Sequence, residues 1–226
     1  MGDDYAEAVA WAKRVTAPLA SKGAEAFEDF DPLEIIFKLR LGVYWLQDGP
    51  SEPGRYGTGK MICSKDAAWW LWDQSKHTPA AYKILCDVCA NFIARGIVLE
   101  DPLRGFAAQA MTGFIGPPKH KNPKAMKTAG RNLFFLAWLN TIKLDHGLDL
   151  TRGDAAQDHR SACDALAEGM AANGYHVTFR ALKELCVGKS HDAARQTAHE
   201  LGQAWSFAKQ ARIIPEYALE RAFYGV

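Results

Sequence analysis

This sequence predicts an all-α fold, a multi-helix bundle with a three-helix, helix-turn-helix-like unit at its C-terminal end. Three observations carry that expectation. Apolar residues recur at three- and four-residue spacing through most of the chain. No stretch alternates apolar and polar residues over the length of a strand. Capping residues, prolines and glycines bracket the periodic runs where helices should start and stop. The expected organisation is a helical body over 1–145 with loops at 48–60 and 113–124, a hinge over 146–157, and a C-terminal unit over 158–226 packed on that body.

In chain order, 4–20 reads as an alanine-rich helix with Tyr5, Val9, Ala12 and Thr16 on one side, closed by Pro18 and Gly23. Asp31-Pro32 is a start signal, a capping carboxylate followed by a proline at the first helical position. Leu33, Ile36, Phe37, Val43, Tyr44 and Leu46 then predict a helix to about Gln47. Residues 48–60 form a loop rich in glycine and proline. Within it, Gly54 to Met61 approaches the phosphate-binding loop pattern, but Met61 stands where a hydroxyl must hold Mg²⁺ and no buried strand precedes it. That excludes a nucleotide site and leaves Arg55 and Lys60 as groups able to touch a phosphate backbone.

Ser64 caps the next helix, whose body holds Trp69, Trp70 and Trp72. Three tryptophans within four residues cannot share one helical face, so at least one belongs to an interface or to the surface. These three are the expected partner-binding residues, as a stacking platform or as an anchor. Thr78-Pro79 opens a long helix through Ile93, and Arg95-Gly96 stops it. Its Cys86-x-x-Cys89 has zinc-ligand spacing, but no second pair exists and both thiols lie on the apolar stripe, so they read as packing residues. A short helix from Asp101-Pro102 to about Met111 precedes the second loop. Ala125 to Lys143 follows, apolar almost all round and therefore buried.

A helix over 158–172 ends at Asn173-Gly174. Thr178 caps the next, with Phe179, Leu182 and Leu185 on one face. Gly188 supplies a positive φ for a sharp turn, and Ser190 caps a last long helix. There Ala194, Ala198, Leu201, Trp205 and Ala208 form the apolar stripe; Asp192, Arg195, Gln196, His199 and Gln203 face the other way. Pro215 ends this element before a terminal helix carrying Tyr217 and Phe223. Helix, glycine turn and helix resemble the N-terminal DNA-binding segment of KfrA-type plasmid proteins over 166–201, on Gly174, Val177, Thr178, Gly188, Ser190, Ala194 and Ala198. This chain departs from that pattern in carrying alanines where branched aliphatics stand in the third helix, and in the late position of Trp205. The resemblance implies DNA contact, as part of an accessory protein of a mobile element.

Charge sharpens that expectation. The net charge is +1, yet residues 1–34 hold eight acids against three bases, and 102–144 contain no acid at all. Lys119, Lys121, Lys124, Lys127 and Arg131 fall in that basic stretch and are the expected phosphate contacts. Lys189, Arg195, Gln196 and His199 are the expected base or groove contacts, since side chains that donate and accept beside a guanidinium can read base edges. Nucleic acid is thus the first expected partner, with a partner protein or a second copy of the chain as the alternative. A helical RNase built on Arg152 and His159 is a third reading. No cofactor, metal or catalytic constellation is expected. Five cysteines in a chain of this length suit free thiols, the acidic N-terminus is unlike a secretion signal, and no apolar run spans a bilayer. The expectation is a cytoplasmic protein.

Overall fold

A computed structural model describes residues 4–17, 19–22, 31–46, 59–119, 123–153 and 160–215, with backbone alone at 21–22 and 123–127. It is mostly helical, as expected. The elements are α1 (Asp4–Thr16), α2 (Leu19–Lys22), α3 (Pro32–Leu41), β1 (Tyr44–Leu46), β2 (Lys60–Ile62), α4 (Lys65–Ser75), α5 (Pro79–Ala94), α6 (Leu103–Met111), α7 (Pro123–His146), α8 (Ala162–Ala171), α9 (Phe179–Val187) and α10 (Asp192–Gln210). The expected terminal helix beyond Pro215 lies outside the described residues.

Two compact units result, and they do not follow the expected boundary near residue 145. The first unites Met1–Phe30 with Pro123–His199, and the second Asp31–Asn122 with Glu200–Val226. The reason lies in α1, which packs on α8 far along the chain. Ala8 and Ala12 are fully buried there. Gly169 of α8 permits the close approach, because a Cβ at that position would sit 2.8 Å from the Lys13 backbone nitrogen and 2.9 Å from the Ala12 carbonyl carbon. Polar bonds flank the contact: Asn173 Nδ2 donates to Lys13 O and to Thr16 Oγ1, both at 2.8 Å, and Tyr5 OH donates to Glu168 Oε2 at 3.1 Å. Phe135, Leu139 and Ile142 of α7, Leu166 and Met170 of α8, and Leu182 and Leu185 of α9 complete this core.

The segment expected to be a hinge is pinned over its described part. Ala162 and Cys163 donate their backbone N–H groups to Asp149 O (2.8 Å) and Leu150 O (3.2 Å). Leu148 and Leu150 pack against the core of the first unit. Arg152 makes a two-pronged ion pair with Asp164, Nε to Oδ2 at 2.9 Å and Nη2 to Oδ1 at 3.2 Å. Asp164 also closes a capping box with Ser161, so α8 starts at Ala162, four residues later than the expected Asp158.

In the second unit α3 ends at Leu41, earlier than the expected Gln47. Gly42 takes up the left-handed conformation at φ 64° and returns its N–H to Lys38 O, which closes the helix. The β-branched and aromatic residues that follow become β1, paired antiparallel to β2 with Trp45 opposite Met61. The side chain of Asn91 on α5 takes the outer edge of β2, accepting from Met61 N at 2.9 Å and donating to Gly59 O at 3.1 Å. Met61, which disqualified the phosphate loop, is fully buried. Leu71 of α4, Ile84, Leu85 and Val88 of α5 and Phe106 of α6 fill the same core. Glu34, nearly buried, holds Lys83 Nζ at 2.8 Å and Lys38 at one helical turn. Burial would raise its pKa, but the two lysines outweigh that and keep it low.

Candidate functional site

The aromatic surface of α4 is set by its register. Ala67, Ala68, Leu71 and Ser75 face inward, so Trp69 and Trp70 are turned outward, at 48% and 40% exposure. Trp72 is partly buried against the core and is the lower member of a parallel stack with Trp69, ring centroids 5.4 Å apart and planes 8° from parallel. Gly105 of α6 makes room for it: a Cβ there would lie 2.7 Å from Trp72 Cη2. Trp70 meets the Phe37 ring edge-on at 5.0 Å. Offset or edge contacts of this kind are each worth about 0.5–1.5 kcal/mol beyond area burial, so the rings are held in fixed orientation. Charges around the stack are balanced in sign. Lys76 pairs with Asp73 at 3.1 Å and Arg104 with Asp101 at 3.0 Å, and Lys65 stands beside Asp66 in the first turn.

The expected nucleic-acid residues are distributed differently. Lys189, Gln196 and His199 are exposed. Arg195, expected among them, is instead a structural group. Its Nη1 donates to Leu185 O at 2.9 Å and its Nη2 meets Asp192 Oδ1, so the guanidinium closes the C-terminal end of α9. Helix ends leave carbonyls without partners, which explains why a cation one turn into the next helix is drawn to them. Gly188 also works otherwise than expected, since its φ is −71°. What demands glycine is proximity, because a Cβ would sit 2.6 Å from Glu184 O. Ser190 caps no helix and lies in a 3₁₀ turn, Lys189–His191, donating to Glu184 Oε1 at 3.3 Å.

In the basic stretch Lys119 is exposed, Lys121 lies outside the described residues, and Lys124 and Lys127 are placed by backbone alone in α7. Arg131 is half-buried, bonded to Asn132 Oδ1 through Nε (3.3 Å) and Nη2 (3.2 Å), with its guanidinium 5.9 Å from the Phe135 ring centroid. Lys119 and Arg131 fall in different units.

Arg152, one half of the RNase reading, is engaged in structural contacts. Besides its ion pair with Asp164, its guanidinium lies 4.1 Å from the Phe179 ring centroid, and its partner His159 lies outside the described residues. Of the CxxC thiols, Cys89 Sγ lies 3.6 Å from Leu103 O, and Cys86 is partly buried against the core of the second unit. Among the described residues no three His, Cys, Asp or Glu side chains gather as a metal-binding group. No described helix is long and apolar enough to cross a membrane.

Compared with protein-family models, curated proteins and solved structures, the chain finds no match.

Proposed function

We propose that this protein is a helical interaction module that holds a partner protein on the tryptophan surface of α4. The observation that carries this reading is the Trp69–Trp72 stack, half open to solvent and seated on Gly105. Interface hot spots are rich in tryptophan, and their centres are poor in charge. A sign-balanced surround suits an apolar protein surface better than a phosphate backbone, which rewards uncompensated cations. Five free thiols suit a reducing compartment, and we place the protein in the cytoplasm on that ground. The test is affinity capture with cross-linking, comparing the parent chain with Trp69→Ser. A species bound by the parent should lose about thirtyfold or more in affinity with the variant, the size of a hot-spot loss near 2 kcal/mol. Equal binding by both chains would refute the reading.

A second reading is contact with nucleic acid through α9, the turn and α10, as the KfrA resemblance implies. The exposed row Lys189, Gln196 and His199 favours it, with Lys119, Lys121, Lys124, Lys127 and Arg131 as phosphate contacts. Arg195 takes no part. Gel-shift titration over a salt series separates the two readings, because affinity absent at low salt rules this one out.

A further inference from the structure

Charge is ordered around the tryptophan surface of α4. Lys65, Asp66, Trp69, Trp70, Asp73 and Lys76 are all exposed. Successive residues of an α-helix turn by about 100°, which fixes where each lies relative to Trp69. Asp66 and Asp73 fall to one side of Trp69, by about 60° and 40°, and Lys65 and Lys76 to the other, by about 40° and 20°. Lys76 is the C-cap but keeps helical backbone angles, so the same rule places it. The helix therefore has an acidic flank and a basic flank, with the Trp69 ring on the line between them. Trp72 stacks on Trp69 from the basic side, and Trp70 meets Phe37 on the acidic side.

Such a face complements itself in one orientation. A two-fold axis running along two parallel helices lays the acidic flank of each beside the basic flank of the other. A two-fold axis across them makes the helices antiparallel and sets acid on acid and base on base, where like charges repel. We infer that α4 docks in parallel on α4 of a second copy of this chain, with Trp69 against Trp69 on the axis. Asp66 then faces the second copy's Lys65, and Asp73 faces the second copy's Lys76, once on each side of the axis.

This inference rests on the reading of the tryptophan surface as a protein-binding site, and it names what that site holds. Within one chain Lys76 already bonds Asp73 at 3.1 Å, with 59% and 65% of the two side chains exposed. An exposed pair of that kind is weak, so its members can exchange partners across the axis at little cost. The net charge of +1 adds almost no general repulsion between copies.

The experiment is sedimentation equilibrium of the full chain, from low micromolar to submillimolar concentration, at low and high salt. A monomer–dimer equilibrium is expected, weakened by salt because the crossed charges are screened. Trp69→Ser should weaken it about thirtyfold or more, the loss of a central hot spot. Lys65→Asp with Lys76→Asp makes both flanks acidic, and Asp66→Lys with Asp73→Lys makes both basic. Each double variant alone should dimerise about tenfold or more weakly than the parent, and an equimolar mixture of the two should recover the dimer. The changed positions are exposed, so the variants should fold as the parent does, which circular dichroism checks. A dimer strengthened by salt, or one indifferent to Trp69→Ser or to charge reversal, would overturn the inference. A parent chain that stays monomeric overturns it too, but spares the wider reading of a protein-binding surface, which the capture comparison with Trp69→Ser decides separately.

Discussion

Replacing Arg152 with Met removes the guanidinium while keeping a stem of similar length. The loss can be worked from its contacts. Arg152 and Asp164 are 14% and 9% exposed, so the pair is largely desolvated. Stranding one member of a buried ion pair costs about 3–5 kcal/mol. Asp164 would keep two donors, Ser161 Oγ at 2.6 Å and Ser161 N at 3.2 Å, which holds the cost near the lower end. The contact of the guanidinium with Phe179, worth about 0.5–2 kcal/mol, is largely replaced by a sulfur–aromatic contact of about 0.3–1.5 kcal/mol. The expected loss is about 3 kcal/mol, which lowers the melting temperature by roughly 6–12 °C for a chain of this size. Urea unfolding followed by far-ultraviolet circular dichroism, over a cycle of Arg152→Met, Asp164→Asn and the double variant, should give a coupling above about 1 kcal/mol. A loss below about 1 kcal/mol is the signature of an exposed pair and would refute the reasoning, as would singles that simply add.

The same carboxylate governs acid stability. Burial would raise the pKa of Asp164, but bonds from Arg152 and Ser161 outweigh it and hold it below the ordinary range. A depressed folded pKa stabilises the protein fully above the unfolded value of about 3.9, and this is lost as pH falls through the folded pKa. Below about pH 4, stability of the parent chain should therefore fall more steeply than that of Asp164→Asn, measured by urea midpoints across the acid range. Gly169→Ala should destabilise by about 1–2 kcal/mol although alanine is the better helix former by about 1 kcal/mol, since the backbone of α1 blocks the new methyl. Gly202→Ala, whose methyl meets nothing within 4 Å, should stabilise by about 0.5–1 kcal/mol. Thermal melts of both variants check the pair, and a Gly169→Ala protein as stable as the parent would contradict the account of α1 and α8.

What the sequence disclosed was local. Asp31, Ser64 and Thr178 each cap the helix that their side-chain chemistry announced. Helical spacing also announced that at least one of Trp69, Trp70 and Trp72 would reach the surface, and Trp69 and Trp70 both do. Distant pairings stayed hidden because nothing in one segment names its partner. The need for glycine at 169 comes from Lys13 and Ala12, more than a hundred and fifty residues away. Strands of three residues are too short to show alternation, and β1 is held by β2, whose other edge is taken by Asn91, rather than by its own pattern. Arg195 and Arg152 misled for one reason. A guanidinium bonds a ligand and a carbonyl or carboxylate of its own chain with the same donors, and only coordinates tell which.

The carboxamide of Asn91 is, chemically, a peptide group, and it meets β2 as a third strand would, with one acceptor and one donor. A helix thereby borrows the role of a neighbouring strand at the margin of a very small sheet. At that margin an incoming chain finds its bonding partners already taken, so recruitment of a foreign segment by backbone pairing is blocked there.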